Sequence, residues 1–222
     1  MPDRVARLPL DPRGYPIPWF VNIDKEGVAD FRIIGPGKVE RAVKQGVCWI
    51  CGERLGVNRA FVIGPMCAIN RISSEPPSHR DCAEYGARAC PFLTRPHMRR
   101  RENDLPEVIV PAAGFGVDRN PGATLVWITK DYEIRNAEHG APGLLFHLGD
   151  PLETLWYAEG RAATATEIWT SVRTGLPILF EQARAQGPEA VQDLNEACRR
   201  ALPLLPRLSA GEGLEAYTAQ SS

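Results

Sequence analysis

Two short runs of this sequence place side chains that bind soft metal ions at ligand spacing. Cys48-Trp49-Ile50-Cys51-Gly52 carries two thiols three positions apart, and His79-Arg80-Asp81-Cys82 carries an imidazole and a third thiol at the same separation. A Cys-x-x-Cys turn lets two thiolates converge on one ion, and the glycine that follows permits the tight backbone of such a turn. The second pair follows Glu75-Pro76-Pro77-Ser78, where prolines and a serine signal a helix start with Ser78 as its N-cap. With Ala83 to Ala89 continuing that helix, His79 and Cys82 share its first turn and one face, so both reach the same ion. Three thiolates and one imidazole in a tetrahedral array suit a single Zn2+, with bonds of about 2.0–2.3 Å. Cys90 is the substitute ligand should His79 point away, whereas Cys67 and Cys198 read as small apolar side chains in the core.

The elements that position these ligands can be read in outline. The 27 residues between the pairs include Ala60-Phe61-Val62-Ile63, then Gly64-Pro65, then Met66-Cys67-Ala68-Ile69. Two short apolar runs around a turn predict a β-hairpin. The order of knuckle, hairpin and helix resembles the treble-clef zinc finger superfamily over about residues 47–90, although the long spacer also permits other zinc ribbons. The resemblance implies that the knuckle supplies two ligands and the helix N-terminus two more. Taken whole, the chain also resembles bacterial and phage proteins, a likeness that implies no function.

Whether such a metal would be catalytic turns on its coordination. A catalytic zinc keeps one position open for water, and four protein ligands leave none. The treble clef hosts HNH-type nucleases, which need a general-base histidine on the hairpin and a second metal-binding histidine on the helix. Here the hairpin offers Asn58, Arg59 and Asn70 but no histidine, and His79 is already committed. Gly35-Pro36-Gly37-Lys38 lacks the spacing of a phosphate-binding loop, and Gly114-Phe115-Gly116 lacks the third glycine of a dinucleotide fingerprint. Asp131, Glu133, Glu138 and His139 fit a solvated hairpin better than a catalytic centre, and for the pair His147 and Asp150 a turn at Gly149-Asp150-Pro151 accounts for the aspartate. The metal reads as a structural staple.

The remainder predicts an α+β fold. Residues 1–46 form a proline-punctuated arm containing a short strand at Asp30–Ile34 and a helix at Lys38–Gln45 closed by Gly46. The zinc module spans 47–93, and 94–123 is a basic, Pro/Gly-rich connection with an isolated strand at Glu107–Val110. In 124–206, strands at Leu125–Thr129, Leu144–Phe146 and Glu153–Tyr157 precede the helices. Thr164-Ala165-Thr166-Glu167 fits a capping box, Gly175 and Pro177 interrupt or kink the first helix, and Gly187-Pro188 separates it from a last one. That last helix carries the stripe Val191, Leu194, Cys198 and Ala201, and 207–222 is a frayed tail.

Charge gives the remaining clue. The net charge of −1 conceals a polarity: residues 38–101 hold twelve basic and five acidic side chains, a balance of +7, and 102–222 hold nine and seventeen, a balance of −8. Three thiolates and Zn2+ bring the module to about +6. A basic, arginine-rich module suits the phosphate backbone of DNA or RNA, and Arg59, Arg88, Arg95, Arg99, Arg100 and Arg101 are its candidate contacts. Trp49 or Tyr85 either stacks a base or packs under the finger. The competing reading is that the basic surface docks on the acidic half of the chain or on an acidic protein partner, giving an adaptor. Charges and prolines in Met1–Leu10, and apolar runs far shorter than the roughly 20 residues a span needs, predict a cytoplasmic protein without a membrane segment.

Overall fold

The computed structural model describes residues 1–95, 113, 114 and 120–207. A one-turn helix (α1, Asp3–Ala6) and two antiparallel strands (β1, Val21–Ile23; β2, Ala29–Ile34) precede α2 (Lys38–Gln45), which Gly46 ends in the left-handed conformation. Next come β3 (Arg59–Ile63), α3 (Pro65–Asn70), β4 (Ile72–Ser73), α4 (Arg80–Ala89) and α5 (Pro91–Thr94). Strands β5 (Thr124–Thr129), β6 (Tyr132–Asn136), β7 (Leu144–Leu148), β8 (Glu153–Ala158) and β9 (Arg161–Ala162) follow, then α6 (Ala165–Gln186) and α7 (Pro188–Ala201). The fold is α+β, as the sequence predicts, and no helix among the described residues is long and apolar enough to cross a membrane.

All six residues of β5 are buried, because it lies inside a four-stranded antiparallel sheet of order β3-β5-β8-β9 that is covered on both faces. Ala60, Val126, Ile128 and Tyr157 point to the face covered by Ala83 and Ala87 of α4. Phe61, Ile63, Leu125 and Trp127 point to the other face, against Phe146 and Leu148 of a second sheet of order β4-β7-β6. The predicted strand at Leu144–Phe146 thus exists, but in that second sheet. The α6–α7 hairpin closes the fold through Val172, Leu176, Phe180, Leu194 and Cys198.

Three local expectations are corrected. The run 66–69 is not the second strand of a hairpin. Gly64 is an extended N-cap and Pro65 the first helical residue of α3, whose buried Pro65, Ala68 and Ile69 recur at helical spacing. The partner of β3 is instead β5, paired in register from Arg59–Thr129 to Ile63–Leu125. Second, Gly175 and Pro177 do not interrupt α6, which is helical from Ala165 to Gln186. An interior proline costs a helix roughly 3 kcal/mol, and the apolar face from Ile168 to Ala183, buried against α7 and α3, offsets it. Third, Ser78 does not cap α4. It is buried and exchanges two backbone hydrogen bonds with Ala60, at 2.8 and 3.0 Å, so the cap position falls on His79. The capping box of Thr164 and Glu167 is present on α6. The strand predicted at Glu107–Val110 and the tail from 208 onward lie outside the described residues.

Candidate metal centre

The first two ligands sit on a knuckle pinned at its base. Val47 and Arg54 form an antiparallel bridge, and the Cys48 N–H donates to the Glu53 carbonyl at 2.8 Å. Gly52, at φ +75°, closes the turn by donating to the Cys48 carbonyl at 2.9 Å. The other two ligands come from the head of α4. The Trp49 N–H donates to Pro77 at 3.1 Å, and Ser78 is paired with Ala60, so the segment entering α4 is held between β3 and the knuckle. His79 occupies the N-cap and Cys82 the first turn, while Ala83 and Ala87 root the helix on the sheet.

The sulfurs of Cys48, Cys51 and Cys82 and a ring nitrogen of His79 all lie within 4.8 Å of one another. Among the described residues no other group of three or more His, Cys or carboxylate side chains converges in this way, and Asp131, Glu133, Glu138 and His139 do not. Cys48 and Cys82 are fully buried and Cys51 nearly so. Nδ1 of His79 faces the thiols, 3.4 Å from Cys51 Sγ and 3.9 Å from Cys82 Sγ, while Nε2 lies 3.0 Å from the Arg54 carbonyl. A carbonyl can only accept, so Nε2 carries the hydrogen and Nδ1 presents its lone pair to the cluster. This second hydrogen bond fixes the ring as metal-binding histidines are commonly fixed.

The electrostatics ask for a cation. The Cys51 and Cys82 thiols, then the N–H groups of Cys51 and His79, donate to Cys48 Sγ and hold its thiol far below the ordinary range. Donating to Cys48 pushes the Cys51 thiol up to about 11 and raises Cys82 as well, with burial acting in the same direction. Three thiols this close together and this buried cannot all ionise without a compensating positive charge. A divalent ion supplies it, and the donor set of three sulfurs and one nitrogen fits a tetrahedral one. Cys90 does not join: it caps the far end of α4, eight residues and about 12 Å of helix beyond Cys82. Cys67 packs against the core and Cys198 is buried within it.

The basic candidates are dispersed. Arg88 is exposed with its guanidinium 5.1 Å from the Tyr157 ring centroid, and Arg95 is exposed beyond α5. Arg59 is half-buried on β3 opposite Thr129. Arg99, Arg100 and Arg101 lie outside the described residues. Arg80 and Arg71 are bound to carboxylates of the acidic half, Glu153 and Asp150, each at 2.7 Å. Trp49 is 3% exposed and stacks on Phe20 beneath the knuckle, which removes it as a base-stacking platform. Arg41 and Lys44 of α2 and Arg54 at the base of the knuckle are exposed.

No local pattern in residues 1–20 signals that they pack on this site. Val5 is buried in one apolar cluster with Cys48, Ile50, Cys51 and Cys82, and Arg4 reaches both Glu53 and Asp81. Set against protein-family models, curated proteins and solved structures, the chain matches none.

Proposed function

We propose that Cys48, Cys51, His79 and Cys82 hold one structural zinc ion, and that the chain is a zinc-stapled nucleic-acid-binding protein without catalytic activity. The observation that carries this reading is closure of the site: four donors converge, and the second nitrogen of His79 is taken by the Arg54 carbonyl. Four donors complete a zinc tetrahedron and leave no position for a reacting water. The knuckle, the β3–Ser78 pairing and the head of α4 support a treble-clef-like module in outline, with residues 64–73 inserted where a simple hairpin would turn. Arg41 and Lys44 on α2, Arg54 at the base of the knuckle, and Arg88 and Arg95 supply exposed cations for phosphate.

The ion pairs of Arg80 with Glu153 and Arg71 with Asp150 favour a second reading, in which part of the basic surface is neutralised within the chain and the remainder meets an acidic protein. Fluorescence anisotropy with labelled DNA and RNA across a salt series separates the two. Nucleic-acid binding gives an affinity that falls linearly on a log–log salt plot, and Lys44→Glu or Arg54→Glu each lowers the slope by about one. No binding to either polymer at low salt rejects it in favour of the adaptor. Cleavage that needs added divalent metal and persists through purification replaces both with an HNH-like nuclease.

A further inference from the structure

We propose that residues 1–22 form a clasp that closes over the knuckle only while the metal is bound; this rests on the metal reading above. The clasp is seated on both halves of the ligand set at once. Arg4 donates to Asp81, between His79 and Cys82, at 2.9 Å and lies 3.4 Å from Glu53, which follows the knuckle glycine. Arg7 adds a second bond to Glu53. Val5, 1% exposed, packs with Cys48, Ile50 and Cys51 of one half and Cys82 of the other. Further along, the Trp19 N–H donates to the Ile50 carbonyl at 2.7 Å, the Trp19 ring lies on Gly52, and Phe20 stacks on Trp49 with centroids 4.8 Å apart.

These seats depend on the ion because it would both hold the Cys48–Cys51 turn on which Trp19 and Phe20 rest and join the two halves that Arg4 and Val5 bridge. Without it, the knuckle and the head of α4 keep hydrogen bonds such as Trp49 N–H to Pro77 and His79 Nε2–H to the Arg54 carbonyl, but lose the four bonds by which one ion would draw Cys48 and Cys51 onto His79 and Cys82. A four-residue helix has no stability of its own, since nucleation costs more than one turn returns. Val5 and Arg4 therefore hold the arm in place only when positions 48–53 and 79–82 are drawn together. Coupling is reciprocal, so a docked clasp must also retard loss of the ion.

The test starts by counting zinc in the purified full chain, then follows amide exchange by mass spectrometry before and after chelation. The expected result is one zinc per chain, with exchange in residues 3–22 at least about tenfold faster after chelation while the slow amides of α6 stay protected. In the reverse direction, Val5→Asp and Arg4→Ala each speed zinc transfer to a chelating dye by about tenfold, and Leu152→Ala, on an exposed turn, leaves it unchanged. Zinc present with exchange of 3–22 unaltered by chelation overturns the clasp alone, as does simultaneous loss of protection through the whole chain. Well under one zinc per chain overturns the clasp and the metal reading together.

Discussion

The ring of Trp19 lies so close to Gly52 that a β-carbon at position 52 would stand 2.5 Å from Trp19 Cδ1. Position 52 is constrained twice, since its φ of +75° also disfavours any L side chain. Gly52→Ala is expected to lower stability by about 2–4 kcal/mol, the left-handed backbone and the overpacked ring contributing comparable shares. Thermal unfolding in zinc-containing buffer measures it. Trp19→Ala combined with Gly52→Ala should cost less than the sum of the two, because the clash is then gone; strict additivity would show that the ring does not press on the turn.

The role of His79 is separable from that of the thiols. On the proposed zinc site, His79→Ala removes one of four donors and opens a position to water, so zinc affinity should fall by at least tenfold. His79→Cys keeps a four-donor set and should retain a full equivalent of metal. Cobalt substitution reports the geometry directly: the wild type and the cysteine variant give intense tetrahedral visible bands, and the alanine variant gives altered ones. A wild-type spectrum of octahedral cobalt would refute the four-ligand site.

How far these features could be read from sequence follows from how local each one is. The ligand pairs are local, each fixed by a three-residue spacing, and they converge as expected. The capping box at Thr164 is local too. The segment Met66–Ile69 misled because α3 is apolar on both flanks: Ala68 faces the two sheets, while Met66 and Ile69 face α6 and α7. With apolar neighbours on both sides there is no polar face to reveal the helical period, and two apolar runs around Gly-Pro then look like a hairpin. The pairing of β3 with β5 joins distant segments, and the seating of Val5 on the metal ligands depends on a surface that exists only once the knuckle and α4 have met. Neither leaves a signature in its own stretch of chain.

The capping box supplies a pH test. Glu167 is bonded first by Arg161 and then by the Thr164 N–H, which hold its carboxyl at about 2 against an ordinary value of 4.5. A depressed folded pKa means that the carboxylate contributes stability above the unfolded value, and that this contribution is lost as pH falls through the window from 4.5 to about 2. Because the side chain keeps 29% of its surface exposed, solvent screening reduces the effect. Glu167→Gln is therefore expected to cost about 1 kcal/mol at pH 7, with the deficit closing near pH 2. Urea unfolding of the two proteins side by side measures the difference, and the metal ligands, common to both, cancel. A deficit independent of pH would mean that the carboxylate charge is irrelevant to the cap.

The helix core offers a last prediction in which intrinsic propensity and packing have opposite signs. Alanine for an interior helical glycine ordinarily gains about 1 kcal/mol. At Gly175 an added β-carbon would lie 2.7 Å from Sδ and 2.8 Å from Cγ of Met66, and 3.0 Å from its methyl carbon, so the side chain that α3 lays across α6 must move. Methionine is adaptable but partly enclosed here, packed against Ile69 and the α6–α7 core. Gly175→Ala is expected to destabilise by about 1 kcal/mol, overpacking outweighing the helical gain. Met66→Ala alone should cost roughly 2 kcal/mol through the cavity it leaves. The double variant should then be more stable than the Met66→Ala single variant, because the alanine methyl at 175 enters that cavity and recovers the helical propensity. A double-mutant cycle by urea denaturation returns the coupling, and a value near zero would show that α3 does not need the glycine to approach α6.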